Sequence, residues 1–326
     1  MAMVGFILKR LVQSVFVMLA VAFLAFSLFT FVGDPISQMT GVETSLEDQE
    51  RLREELGLND PFFVQFARFT GDMLRGDFGH SFRTREPIGE MLLSRLPATL
   101  ELGTVALVIS LIVGIPAGIY TALSPRGLVS QSILIGTLIG VSIPTFVIGI
   151  LLIFFFGVQL GWLPTFGRGG TVELGWWRTS FLTADGWRSL ILPALTLGLF
   201  QLTLTMRLVR AQMMEVMRTD HIRFAIARGV PWRSIRYRHA LSNTMIPVIT
   251  IIGLQFGGVI AFSIVTESVF QWPGMGLLFL ESIRFVDIPV MSVYLVVIAF
   301  FFVLINLLVD LLYLAIDPRL RVREDV

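Results

Sequence analysis

Long apolar runs along this chain are separated by shorter polar segments, and the runs outlast any helix of a soluble core. Crossing a bilayer takes about 20 predominantly apolar residues. Six runs qualify: 11–32, 99–123, 130–157, 190–213, 245–269 and 288–316. Several of them contain helix-breaking residues, such as Gly114-Ile115-Pro116 and Ser142-Ile143-Pro144. Spanning helices tolerate both types because neighbours re-satisfy the freed backbone groups, so each run reads as one span. The polar stretch after the first run has helical order of its own. Ser45 is placed as an N-cap with acids in the following turn, and Leu52, Leu56 and Leu58 supply an apolar side. Pro61 then opens a second amphipathic stretch with Phe62, Phe66, Phe69 and Met73 on one face. These helices are expected to form a small cap packed on the bundle, a docking surface for a soluble partner, or both.

The pattern predicts an all-α integral membrane protein of six transmembrane helices with a helical external insertion between spans one and two. Residues 1–32 form a cytoplasmic end and first span, and 33–97 the external segment. Residues 98–316 form a five-helix core with a cytoplasmic loop at 214–242, and 317–326 a cytoplasmic tail.

Composition agrees. Charged residues make up 15% of the 326, against about 25% in soluble domains, and mean hydropathy is +0.79. The net charge of +1 provides no global field for nucleic acid, and the absence of cysteine excludes disulfide and thiol chemistry. The first run is too long for the apolar core of a cleaved signal peptide, about 7–15 residues, and reads as a retained anchor. Orientation follows the placement of Lys and Arg in short loops. Lys9 and Arg10, the loop carrying Arg218, Arg223, Arg228, Arg233, Arg236 and Arg238, the loop at Arg126, and the tail with Arg319, Arg321 and Arg323 fall on one side, expected to be the cytoplasm. The opposite side receives 33–97, 158–188 and 271–287. The first of these holds seven arginines and twelve acids, but long segments translocate largely regardless of charge. Trp176, Trp177 and Trp187 suit a belt at headgroup level.

Candidate chemistry is sparse. The single lysine, Lys9, follows Leu8, so there is no Gly-Lys-Ser/Thr loop to cradle phosphates. His80, His221 and His239 lack metal-ligand spacing. Ionisable residues in or near spans count as functional candidates because charge is costly there. Glu267, near the external end of span five, is read either as a carboxylate hydrogen-bonded at a helix end or as a pathway or gate element. Glu101, Asp310, Arg207 and Arg210 do not form the chain of acids expected of a proton pump. A stand-alone secondary transporter or channel, or an interaction scaffold, remain the alternatives.

The segment 227–240, ARGVPWRSIRYRHA, gathers four arginines and a histidine. Gly229 is expected to end a helix that begins near Met214. Pro231 suits the first turn of a new short helix, which places Trp232, Ile235 and His239 on one face and Arg233 and Arg236 beside it. Such a helix either rests on anionic headgroups or plugs into a groove on a cytoplasmic partner, since Trp, Tyr and Arg are common interface anchors.

Residues 220–229 (DHIRFAIARG), Arg238-His239-Ala240-Leu241 and the stretch from Asn243 to Pro247 resemble the EAA loop of ABC importer permeases, in their dipeptide/oligopeptide/nickel branch. So do Gly33-Asp34-Pro35, Leu56-Gly57-Leu58-Asn59-Asp60-Pro61, Gly76-Asp77-Phe78-Gly79-His80-Ser81, Pro97-Ala98-Thr99-Leu100 and the run from Glu267 to Gly276. The resemblance covers nearly the whole chain in order. It implies the type I importer permease fold, in an inner membrane, with both termini cytoplasmic. It implies a second homologous permease, two ATP-binding cassette subunits and an external substrate-binding protein as partners, with ATP and Mg held by the ATPase subunits, no cofactor on this chain and no catalysis by it. It gives Ala225 and Gly229 the loop's alanine and glycine positions and 231–240 the coupling helix. Arg223 and Phe224 depart from the general motif, which has glutamate and alanine there. Substrate selection is expected to lie largely in the binding protein.

Overall fold

The computed structural model describes residues 2–32, 36, 45–55 and 57–316. The expected positions Gly33-Asp34-Pro35, Leu56, Arg319, Arg321 and Arg323 lie outside the described residues. Helix α1 (Ala2–Val32) is followed by α2 (Leu46–Glu55) and α3 (Phe62–Leu74). Then come α4 (Ile88–Leu123), α5 (Leu128–Ser142) and α6 (Thr145–Leu152), the last continuing as a π-helix over Ile153–Gln159. A hairpin of β1 (Val172–Leu174) and β2 (Trp177–Thr179) leads into α7 (Ala184–Val216). The chain closes with α8 (Asp220–Ala227), α9 (Trp232–Ser234), a π-helix Ile235–Ala240, α10 (Leu241–Val269), α11 (Met275–Arg284) and α12 (Ile288–Ile316).

Among the described residues, five helices are long and apolar enough to cross a membrane: α1, α4, α7, α10 and α12. The sixth apolar run is α5 with α6, and it is not one straight span. The two halves meet at 106°. Pro144 forces the residue before it out of helical geometry, and Ile143 is extended at φ −92°, ψ 129°. Pro97 and Pro116, by contrast, sit within α4 without ending it. Counting the bent pair once gives six hydrophobic segments, in line with the expected fold.

Helix α4 also starts earlier than the apolar run that announced it. Its 36 residues extend about 54 Å, well beyond a hydrocarbon core of about 30 Å. Part of the expected external segment is therefore the projecting start of span two. Helices α4 and α7 form the core, with Ala98, Leu102 and Ala106 against Leu190, Ala194 and Leu197. The most apolar window of α7 is 67% buried, against 6% in α1, so α1 is peripheral and α7 central.

The two short helices between spans one and two form as their pattern predicts. The Ser45 hydroxyl accepts the Asp48 amide at 3.1 Å, an N-cap bond. Phe66, Phe69 and Met73 pack on Ala22 and Ala25 of α1 and Val296 of α12, and Phe62 meets Phe23, Phe26 and Phe31 edge-on, tilted and stacked. Such pairs are worth about 0.5–1.5 kcal/mol each beyond burial. The hairpin was not anticipated; its strands are three residues each, too short for a periodic signal.

Candidate functional site

The two ends of α4 carry different chemistry. At its C-terminal end, Ile119, Ala122 and Leu123 pack with Met213, Ile222, Ile235 and Ala240. This cluster seats the segment 217–240 on the bundle by its apolar side. Helix α7 stops at Val216, and Asp220 opens the separate α8, rather than one helix running from Met214. Gly229 then adopts φ +72°, the left-handed region that ends helices at glycine. Pro231 takes the cap position at φ −56°, ψ 136°, just before α9.

From Trp232 onward the backbone is helical without interruption into span five, because the π-helix Ile235–Ala240 joins α9 to α10. This corrects the expected face. With hydrogen bonds closing over five residues, Ile235 and Ala240 both point inward and are buried. Trp232 and Tyr237, also five apart, are 45% and 56% exposed. His239 is half-buried rather than aligned with Ile235, and Trp232 faces away from it. Arg233 and Arg238 are exposed, and Arg236 is half-buried with its guanidinium 5.2 Å from the Trp232 ring centre. Its Nε is buried without a hydrogen-bond partner among the described residues. On α8, Arg223 pairs with Asp220 at 3.3 Å, Ala225 is half-buried, and Phe224 is 63% exposed beneath Arg228. Of the six arginines between 218 and 238, Arg223 alone has a carboxylate within ion-pair distance among the described residues. The result is a bundle end seated by aliphatic residues and faced with free guanidinium and aromatic groups. Tyr237 is not singled out by spacing, since a π-turn leaves no periodic mark.

At the opposite end, three carboxylates are buried. Glu267 has no exposed surface. It accepts from the Thr99 hydroxyl at 2.7 Å, the Ser263 hydroxyl at 3.0 Å and the Leu277 amide at 3.0 Å. The Met275 amide in turn donates to Thr99 at 2.8 Å, and the Trp272 indole to the Ala98 carbonyl at 2.9 Å. Glu267 thus ties α10 to α4 and to the first turn of α11, where free amides favour an anion. The backbone at Gly274 passes so close that a Cβ there would collide with this carboxylate. Glu101 receives Arg168 at 2.7 Å, the Ser180 amide at 3.1 Å and the Trp177 indole at 3.3 Å. Arg168 is itself 8% exposed and also donates to the Ser180 hydroxyl and the Arg178 carbonyl. The pair fastens the hairpin to α4, and Trp177 serves it rather than standing free in a belt; Trp176 and Trp187 are exposed. Asp287 accepts from the Ser81 hydroxyl and from the Phe82 amide. Asp310 pairs with Arg10 at 3.1 Å, joining α12 to α1. Among the described residues, no cluster of His, Asp or Glu is placed to hold a metal.

Residues 114–322 match the family described as binding-protein-dependent transport system inner membrane component, and residues 3–103 match its N-terminal membrane component. The chain is 36% identical over 332 residues to the dipeptide transport system permease protein DppB of Alkalihalophilus pseudofirmus, covering 98% of this chain and 100% of that one. It is 37% identical to the oligopeptide transport system permease protein AppB of Bacillus subtilis over 320 residues, 98% of this chain and 99% of AppB. The figures for the glutathione transport system permease protein GsiC of Escherichia coli are 37% over 321 residues, again 98% and 99%. Among solved structures, an inward-facing form of the MetNI methionine ABC transporter superposes with a TM-score of 0.56 at 17% identity, over 71% of this chain and 99% of that one.

Proposed function

This chain belongs to the binding-protein-dependent transport system inner membrane components and is the permease subunit of an ABC importer, and we propose that its cargo is a peptide or related small solute. It is a multi-pass inner-membrane protein. The substrates named for its relatives, dipeptides, oligopeptides and glutathione, support the cargo class. The chain pairs with a second, homologous permease, and the pair works with two ATPase subunits and an external binding protein. ATP is hydrolysed on the partner chains and this chain is not catalytic.

The observation that carries the coupling role is the segment 220–240. Ile222, Ile235 and Ala240 hold it to the bundle, while Trp232, Tyr237, Arg233 and Arg238 project. Aromatic and arginine side chains projecting from a buried footing have the make-up of an interface centre. Closure of the ATPases moves this segment, and because its part from Trp232 onward is continuous with span five the movement reaches α10 directly. The permease pair alternates between outward- and inward-open states, each ligand favouring the state it binds better. Glu267 is a tie that keeps α10, α4 and α11 together at the far end during this movement.

Sidedness tests the reading. With Arg233 replaced by cysteine in this cysteine-free chain, a membrane-impermeant maleimide should label only permeabilised cells, placing segment 220–240 in the cytoplasm. Labelling of intact cells would put the segment on the wrong face and overturn the coupling role.

A further inference from the structure

Resting on the proposal that the end carrying Asp287 is external, we propose that the corner formed by Arg83, Arg85, Ile283, Arg284, Phe285 and Val286 is a docking surface for an acidic patch on the soluble substrate-binding subunit. The Arg83 guanidinium lies 3.4 Å from the Phe285 ring centre, and both residues are exposed. Ile283 and Val286 beside them are 43% and 45% exposed. Arg83, Arg85 and Arg284 have no carboxylate within ion-pair distance among the described residues. Three cations without an ion-pair partner around a small apolar centre call for an occupant with carboxylates at its rim.

The corner is also held in place beforehand. Buried Asp287 accepts from Ser81 and from the Phe82 amide, fixing the residue before Arg83. Arg85 at φ +60° and Val286 at φ +54° occupy the left-handed region. For a β-branched residue that is an outlier, and such conformations cluster at binding sites. Fixing an interface in its bound shape lowers the ordering cost of association. Helix α11 runs from this corner back to Glu267, so a load on Phe285 bears on the same tie that joins α10 to α4.

The test uses the whole transporter in nanodiscs with its own substrate-loaded binding subunit, reading the concentration that half-maximally stimulates ATP hydrolysis. Arg83→Glu and Arg284→Glu should each raise it roughly tenfold at low ionic strength, since like charges brought together oppose binding. Arg83→Lys should largely restore it, and added salt should weaken wild type more than the reversed variants. Arg126→Glu, at the other end of the bundle, should leave it unchanged. An unchanged half-maximal concentration in both reversals would overturn the proposal. So would a shift that follows the anionic-lipid content of the disc rather than the binding subunit, because the corner would then be a membrane contact. If wild type hydrolyses ATP but ignores the binding subunit altogether, the importer reading fails first.

Discussion

Gly229 meets nothing within 4 Å of where a Cβ would stand, yet its φ is +72°. Substitution there acts through the backbone and not through packing. A β-branched residue in this conformation costs about 1–3 kcal/mol, enough to redirect α9 while the spans insert as before. Gly229→Val should therefore abolish ATP-driven uptake with membrane levels near wild type by immunoblot, and Gly229→Asn, which tolerates the left-handed region, should retain more uptake than Val. Normal uptake in the valine variant would remove Gly229 from the coupling role. Glu267 is the opposite case, constrained wholly by contacts. Thr99, Ser263 and the Leu277 amide all donate to it, so Glu267→Gln turns an amide NH2 toward a donor and should destabilise the chain by about 1–3 kcal/mol. The check is the unfolding midpoint in detergent, with Thr99→Val as the matched removal of one donor.

Among the elements, the hairpin depends on one buried ion pair. Removing one partner of such a pair leaves an uncompensated charge and costs about 3–5 kcal/mol. Arg168→Met should free the hairpin for proteolytic cleavage between 172 and 179, and adding Glu101→Gln should restore part of the protection. Equal cleavage in single and double variants would mean the pair does not hold the hairpin. The π-helix at 235–240 matters for a different reason. Without it, Ile235 and Ala240 would turn out of step and one of them would leave the cluster with Met213 and Ile222. Deleting Tyr237 or His239 should reduce uptake even though every arginine is kept.

For the whole molecule, the arrangement separates two ends along α4, with arginines and aromatics at one and three tied carboxylates at the other. Reconstituted alone, the chain should show no uptake driven by an ion gradient. With a second permease and the ATPases, uptake should require ATP. Gradient-driven uptake by the chain alone would restore the secondary-transporter alternative.

The number and order of apolar segments, the amphipathic helices between the first two spans, and the placement of positive charge could all be read along the chain. Each is a property of residues near one another, set by transfer of side chains out of water and by helical spacing. Ser45 caps its helix and Phe66, Phe69 and Met73 share a face because those relations span a turn or two. Tertiary structure alone decided that Glu101 meets Arg168 67 positions away and that Thr99 meets Glu267 168 positions away. It also decided that Ser142-Ile143-Pro144 breaks its run while Pro116 rides within α4, and that a π-turn carries span five out to Trp232. Pairings across helices follow from how packed surfaces mate, and the spacing of residues along one segment carries no record of the segment it will meet.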